Sequence, residues 1–218
     1  MRTVYTAFPN HPDVATLYAE AMMNRTGWRL WDLKTAKPAE GSDTVEIVRV
    51  LERGMAGNAA AGTKPHAGLL HMYIHTMEMS PTPEKALKAC DELRGLVPDS
   101  GHLQHMPTHI DVLCGNYQAV VDWNTAAIIA DEKFVAREGP LNFYSLYRCH
   151  DYHFKAYGGM FLGRYGLAME AADAMVASLP EALLRIPSPP MADWLEAFVP
   201  TDYHVLIRFG KWEDILAK

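Results

Sequence analysis

Histidine is the residue type through which this chain could do chemistry. Ten are present, and several recur at helical spacing. His71/His75 and His105/His109 are four residues apart, and His150/His153 are three apart. On an α-helix such pairs share a face, so both imidazoles hang over one turn and can chelate a single ion. Imidazole suits zinc, iron and copper, and three such ligands with an open position form a known catalytic geometry. The candidate metal ligands are therefore His71, His75, His105, His109, His150 and His153. Glu78, three residues past His75, could add a carboxylate. Asp151, beside His150, projects off the shared face and is the weaker candidate.

These side chains need helices to hold them, and the chain repeats in a way that supplies them. Gly115-Asn116-Tyr117, Gly163-Arg164-Tyr165 and Gly210-Lys211-Trp212 share a glycine, one residue and an aromatic, with glycines 48 and 47 residues apart. Apolar-periodic stretches flank each turn, which predicts αα-hairpins. Counted back from the turn glycine, His102, His105 and His109 lie at −13, −10 and −6, His150 and His153 at −13 and −10, and His204 at −6. With Pro81 as the equivalent turn position, His71 and His75 fall at −10 and −6. Packed helices lie roughly 8–10 Å apart, so imidazoles of neighbouring units can converge across one groove. Pro107 predicts a kink that frees the Leu103 carbonyl to orient a histidine, or else a helix that begins at Pro107.

Earlier units follow the same plan. Pro12 to Met23 pairs with Thr44 to Gly57, where Asp43 and Glu46 resemble an acidic capping box. His66 to Met79 pairs with Glu84 to Val97, with Thr82 as N-cap and Pro83 at the first helical position. Between Asn24 and Asp43 the periodicity lapses, and Trp28 and Trp31 predict a folded loop. The last unit stops about eight residues past Gly210, so a single domain over residues 1–218 is expected to be part of a longer array.

Composition narrows the chemistry. The chain is 49% hydrophobic and 21% charged with a formal charge of −6, which predicts a packed fold without a basic field for nucleic acid or anionic membranes. Neither a bilayer-length apolar run nor a signal-peptide pattern is seen, and the expected location is cytoplasmic. Three cysteines without C-x-x-C spacing suggest neither a disulfide framework nor a zinc ribbon. Cys149 and His150 are adjacent and point about 100° apart, which disfavours a thiol–imidazole dyad. The twelve methionines, Met22, Met23, Met72, Met77, Met79 and Met106 among them, read as copper ligands or, more simply, as gap-fillers between helices. No phosphate loop, G-x-S-x-G or H-E-x-x-H is present.

The paired helices, the Gly-x-aromatic turns and the small Ala119 and Ala168 after them resemble the tetratricopeptide repeat. The spacing exceeds that repeat's usual length of about 34 residues. Gly101 to Ile110, with its His-Met-Pro-Thr-His-Ile run, and His71-Met72-Tyr73-Ile74-His75 resemble a group of tetratricopeptide-like proteins of bacteria and fungi. That resemblance implies an all-α superhelix of about four to five αα-hairpins and no particular reaction. The reading from the residues is a binding module. Its concave groove is lined by imidazoles and by Tyr73, Glu78, His102, Tyr147 and Tyr157, and it holds a protein or peptide segment or a small molecule. The alternative is a metal-dependent enzyme that activates water or oxygen on the histidines, with a transition metal as cofactor. A third reading is a structural piece without a site, its imidazoles bonded to Tyr73, Tyr144, Tyr147, Tyr152 or Tyr157.

Overall fold

The computed structural model, which describes residues 1–218, is helical apart from its connections and one two-stranded sheet. The chain divides into two compact units, Met1–Val97 and Pro98–Lys218. No helix is long and apolar enough to cross a membrane.

The first unit holds α1 (Arg2–Ala7), α2 (Pro12–Met23), α3 (Thr44–Ala60), α4 (Ala67–Met77) and α5 (Leu87–Leu93). Helices α2, α3 and α4 pack on one another around Ala19, Met23, Ile47, Leu51, Leu69 and Ile74. The aperiodic stretch is folded, as its tryptophans predict. Two short antiparallel strands, β1 (Trp31–Asp32) and β2 (Lys37–Pro38), close it. The Trp31 indole N–H donates to the Thr76 carbonyl at 2.6 Å, and the Trp28 indole donates to Asn24 at 2.7 Å. The acidic capping box does not form. Asp43 is drawn instead to Arg25, and Glu46 accepts from the Tyr18 hydroxyl at 2.8 Å and from Arg2 at 3.0 Å. Charged partners reach these carboxylates in place of the N–H groups of α3, since charge-assisted bonds are the stronger option. Thr82 likewise makes no cap bond, and its helix opens as a 3₁₀ turn, Pro83–Ala86, before α5.

The second unit contains α6 (Gly101–His105), α7 (Pro107–Cys114), α8 (Tyr117–Glu138), α9 (Ser145–Phe161) and α10 (Tyr165–Ala177). It continues through α11 (Glu181–Leu184), α12 (Met191–Leu195), α13 (Thr201–Arg208) and α14 (Trp212–Leu216). The three glycine turns close alike. Gly115, Gly163 and Gly210 are left-handed, with φ of 80°, 70° and 65°. The next N–H then donates five residues back, Asn116 to Asp111, Arg164 to Gly159 and Lys211 to Leu206, at 2.8–2.9 Å. This closure satisfies helix-end carbonyls and needs positive φ at the turn residue, hence glycine. Both α8 and α10 pack on α9, and α6 lies against α8 and α9.

The contact of α6 with α8 depends on a missing side chain. A Cβ at Gly101 would sit 1.9 Å from Asp131 Oδ1 and 2.9 Å from the Ala127 carbonyl oxygen. Gly101→Ala should therefore destabilise the second unit by about 1–3 kcal/mol through overpacking. Gly57→Ala, within α3 and with nothing near its added methyl, should stabilise by roughly 0.5–1 kcal/mol. Denaturant unfolding of both variants checks the pair, and a neutral Gly101→Ala would contradict the packing described.

Candidate metal centre

Three histidines meet where α6 and α7 face α9. One helix ends at His105 and the next begins at Pro107, as one of the two readings expected. Met106 keeps helical angles, φ −50° and ψ −41°, so α6 runs into α7 with only a tightened turn. The His109 N–H bonds the Met106 carbonyl at 3.2 Å, and the Thr108 hydroxyl donates to the His105 carbonyl at 2.7 Å. His105 and His109 consequently stay one turn apart, their rings 4.8 Å between centroids and their Nε2 atoms 2.9 Å apart. Across the gap, the His150 ring lies 4.6 Å from that of His105 and 5.6 Å from that of His109. One donor nitrogen from each of the three lies within 4.8 Å of the others. Phe154, one turn beyond His150, places its ring 4.8 Å from all three and gives the cluster an apolar wall.

The cluster is anchored from behind. His105 is fully buried, and its Nδ1 lies 2.7 Å from Asn124 Oδ1. The Asn124 amide nitrogen donates to the Val120 carbonyl at 2.7 Å and to Thr108 Oγ1 at 3.1 Å, which leaves its oxygen as the acceptor toward His105. His105 Nδ1 therefore carries the ring proton, and Nε2 presents its lone pair toward His109. The 2.9 Å contact is then closed by a proton on His109 Nε2, the proton an ion would displace on binding both rings. Burial, reinforced by the neighbouring His109 and His150, holds the His105 pKa well below the usual imidazole range. The ring is a neutral base.

Asp151 lies behind the same imidazole, its Oδ1 3.2 Å from His105 Nδ1. It is fully buried and faces the equally buried Asp131, which accepts from the Tyr144 hydroxyl at 2.7 Å. Burial and the facing Asp131 push the Asp151 pKa well up, and burial raises that of Asp131. With the Asp151 pKa pushed up and that of His105 held down, burial favours the neutral form of both groups at this contact.

The expected residues divide between the two units. In the second, His102 sits beside the triad, 6.2 Å from the His105 ring and 5.1 Å from that of Tyr147. His153 belongs elsewhere, packed against Tyr157 and Phe198 at 5.8 and 5.7 Å, with its pKa lowered by burial and by His204. In the first unit, the His71 and His75 rings lie 4.8 Å apart, and Glu78 meets His75 Nδ1 at 2.9 Å. Tyr73 donates to Glu52 at 3.1 Å, and burial with that carboxylate pushes its pKa up to about 12.

Three features differ from the sequence reading. Asp151 was expected off the shared face, yet α9 is enclosed by α6, α8 and α10, so the side next to His150 also meets His105. The acceptors beside the His105 ring are Asn124 and Asp151, where the Leu103 carbonyl was expected. Asn124 went unnoticed. Its signal was a polar residue seven positions before Asp131 on the otherwise apolar face formed by Val120, Ala127 and Ile128.

Comparison with known proteins finds no matching family model, no matching curated protein and no matching solved structure. The fold and site therefore define only a class: an all-helical chain with three converging histidines in its second unit.

The thiol next to His150 in the sequence packs with Met175, Leu183, Met191 and Leu195 and is a poor nucleophile. Cys149 is fully buried, and burial pushes its pKa up to about 11. At pH 8 a thiol reagent should modify half-buried Cys114 in the native protein and spare Cys90 and Cys149 until unfolding. Rapid native labelling of Cys149, read by peptide mass spectrometry, would contradict this.

Proposed function

We propose that the second unit binds one transition-metal ion through His105, His109 and His150 and is a metal-dependent enzyme. The observation that supports this is the convergence of three imidazoles from α6, α7 and α9, with the innermost tautomer set by Asn124. An all-imidazole set suits zinc, copper or iron, and three protein ligands leave room for a water or substrate atom. The ion would supply Lewis-acid chemistry and lower the pKa of a bound water. The residues divide the remaining work. His105 anchors the site in the core, His109 and His150 stand on its half-buried side, Asn124 orients the buried ring, and Phe154 limits water from one flank. We read the supporting hairpins as tetratricopeptide-like units. The binding-module reading is second, favoured by a pocket beside Tyr157.

The test uses untagged protein stripped with chelator and titrated with zinc. Wild type should take up one equivalent at this centre, and His109→Ala and His150→Ala should each lose it. Asn124→Leu should weaken binding by about 10–100-fold, the usual cost of removing a ligand's supporting hydrogen bond. His75→Ala should leave this equivalent in place. Zinc uptake unchanged in His109→Ala would refute the assignment.

A further inference from the structure

A second concavity of the same unit lies along α9. Along α9, His150, Phe154, Tyr157 and Phe161 fall at intervals of four, three and four, so they share one face. At the far end of that face, α9 and α13 enclose an open pocket of about 370 Å³ lined by Tyr157, Met160, Phe161, His204, Ile207 and Arg208. That volume falls within the range of roughly 300–1,000 Å³ typical of small-molecule sites. Tyr157, Phe161 and Ile207 are 41%, 44% and 51% exposed, a concentration of apolar surface that marks a contact site more often than chance.

The charge in this pocket has one sign. Arg208 holds its guanidinium 5.7 Å above the Phe161 ring, and its Nε donates to the Met160 carbonyl at 3.5 Å. No carboxylate pairs with it, and no acidic residue lines the pocket. A guanidinium held over an aromatic ring keeps its outer N–H groups ready for a planar oxyanion, which Arg recognises through two parallel bonds. The apolar wall and the single cation together describe an amphipathic monoanion.

The geometry points to a binding site for an apolar carboxylic acid, its carboxylate on Arg208 and its hydrocarbon or aromatic body against Tyr157, Met160, Phe161 and Ile207. His204 also lines the pocket. Tyr157 and Phe161 lie seven and eleven residues along α9 from His150, roughly 10 and 16 Å at 1.5 Å per residue. A ligand seated on Arg208 therefore extends along the same helix face as the three histidines. The pocket itself needs no metal, so its occupancy is separable from the metal reading.

Octanoate is the probe, titrated calorimetrically into chelator-treated full-length protein, with octan-1-ol as its neutral counterpart. Octanoate should bind saturably, at least tenfold more tightly than the alcohol. Arg208→Gln should weaken octanoate at least tenfold and leave the alcohol unchanged. Ile207→Glu, at an exposed position, should do the same to octanoate by placing a carboxylate beside the cation. His109→Ala should bind octanoate as wild type does, whatever becomes of its metal. The assignment is overturned if octanoate does not saturate, if the alcohol binds equally well, or if native-folded Arg208→Gln and Ile207→Glu keep wild-type affinity. Loss of octanoate binding in His109→Ala would place the ligand on the histidines and overturn it as well.

Discussion

Burying the His105 imidazole is the constraint around which the second unit is built. A polar ring in the core costs several kcal/mol, on the order of 2–7, unless its nitrogens find partners. Here each partner requires the next. Asn124 can accept from Nδ1 only because its amide hydrogens are taken by Val120 and Thr108, and the Thr108 hydroxyl in turn holds the His105 carbonyl. Asp151 lies against the same ring, its pKa raised by burial and by the facing Asp131. Asp131 fits because residue 101 has no side chain. With the back of His105 committed to protein, Nε2 is left for whatever lies between it, His109 and His150.

That arrangement separates this cluster from the other histidines. His75 is held by Glu78 in a helix-end pair, with His71 and Trp28 beside it in the first unit. His153 is surrounded by Tyr157, Phe198 and Phe154. Most of the methionines singled out by the sequence are core residues: Met22, Met23, Met72, Met77 and Met106 are buried, and Met79 alone is exposed. They act as the adaptable filler expected between helices of unequal length. The proposed metal centre lies at the junction of α6, α7 and α9, and one face of α9 runs from it toward Arg208.

Much of this was legible in the residues. The Gly-x-aromatic turns announced hairpins because left-handed helix termination requires glycine, and a four-residue histidine spacing forces two rings over one turn. Contacts set by the packing of one helix on another were less readable. Equal offsets from the turn glycines suggested that like positions meet, yet His150 at −13 joins His105 at −10 and His109 at −6, while His153 at −10 is left out. Periodicity gives the face of a helix but not its axial shift against a neighbour, and here that shift is set by side-chain volume. The glycines show this: Gly158 lies against Val120 and Val121, and Gly159 against Leu167 and Ala168. Asp43 failed as a cap for a related reason, since nothing local revealed that Arg25 would reach it.

Anomalous diffraction at the zinc edge, from crystals of the full chain grown with zinc, addresses the central claim most directly. The account predicts a peak bonded to Nε2 of His105 and to ring nitrogens of His109 and His150, with the His105 Nδ1–H still on Asn124. Zinc found only at surface carboxylates or at His71 and His75, with the three rings unchanged, would contradict it.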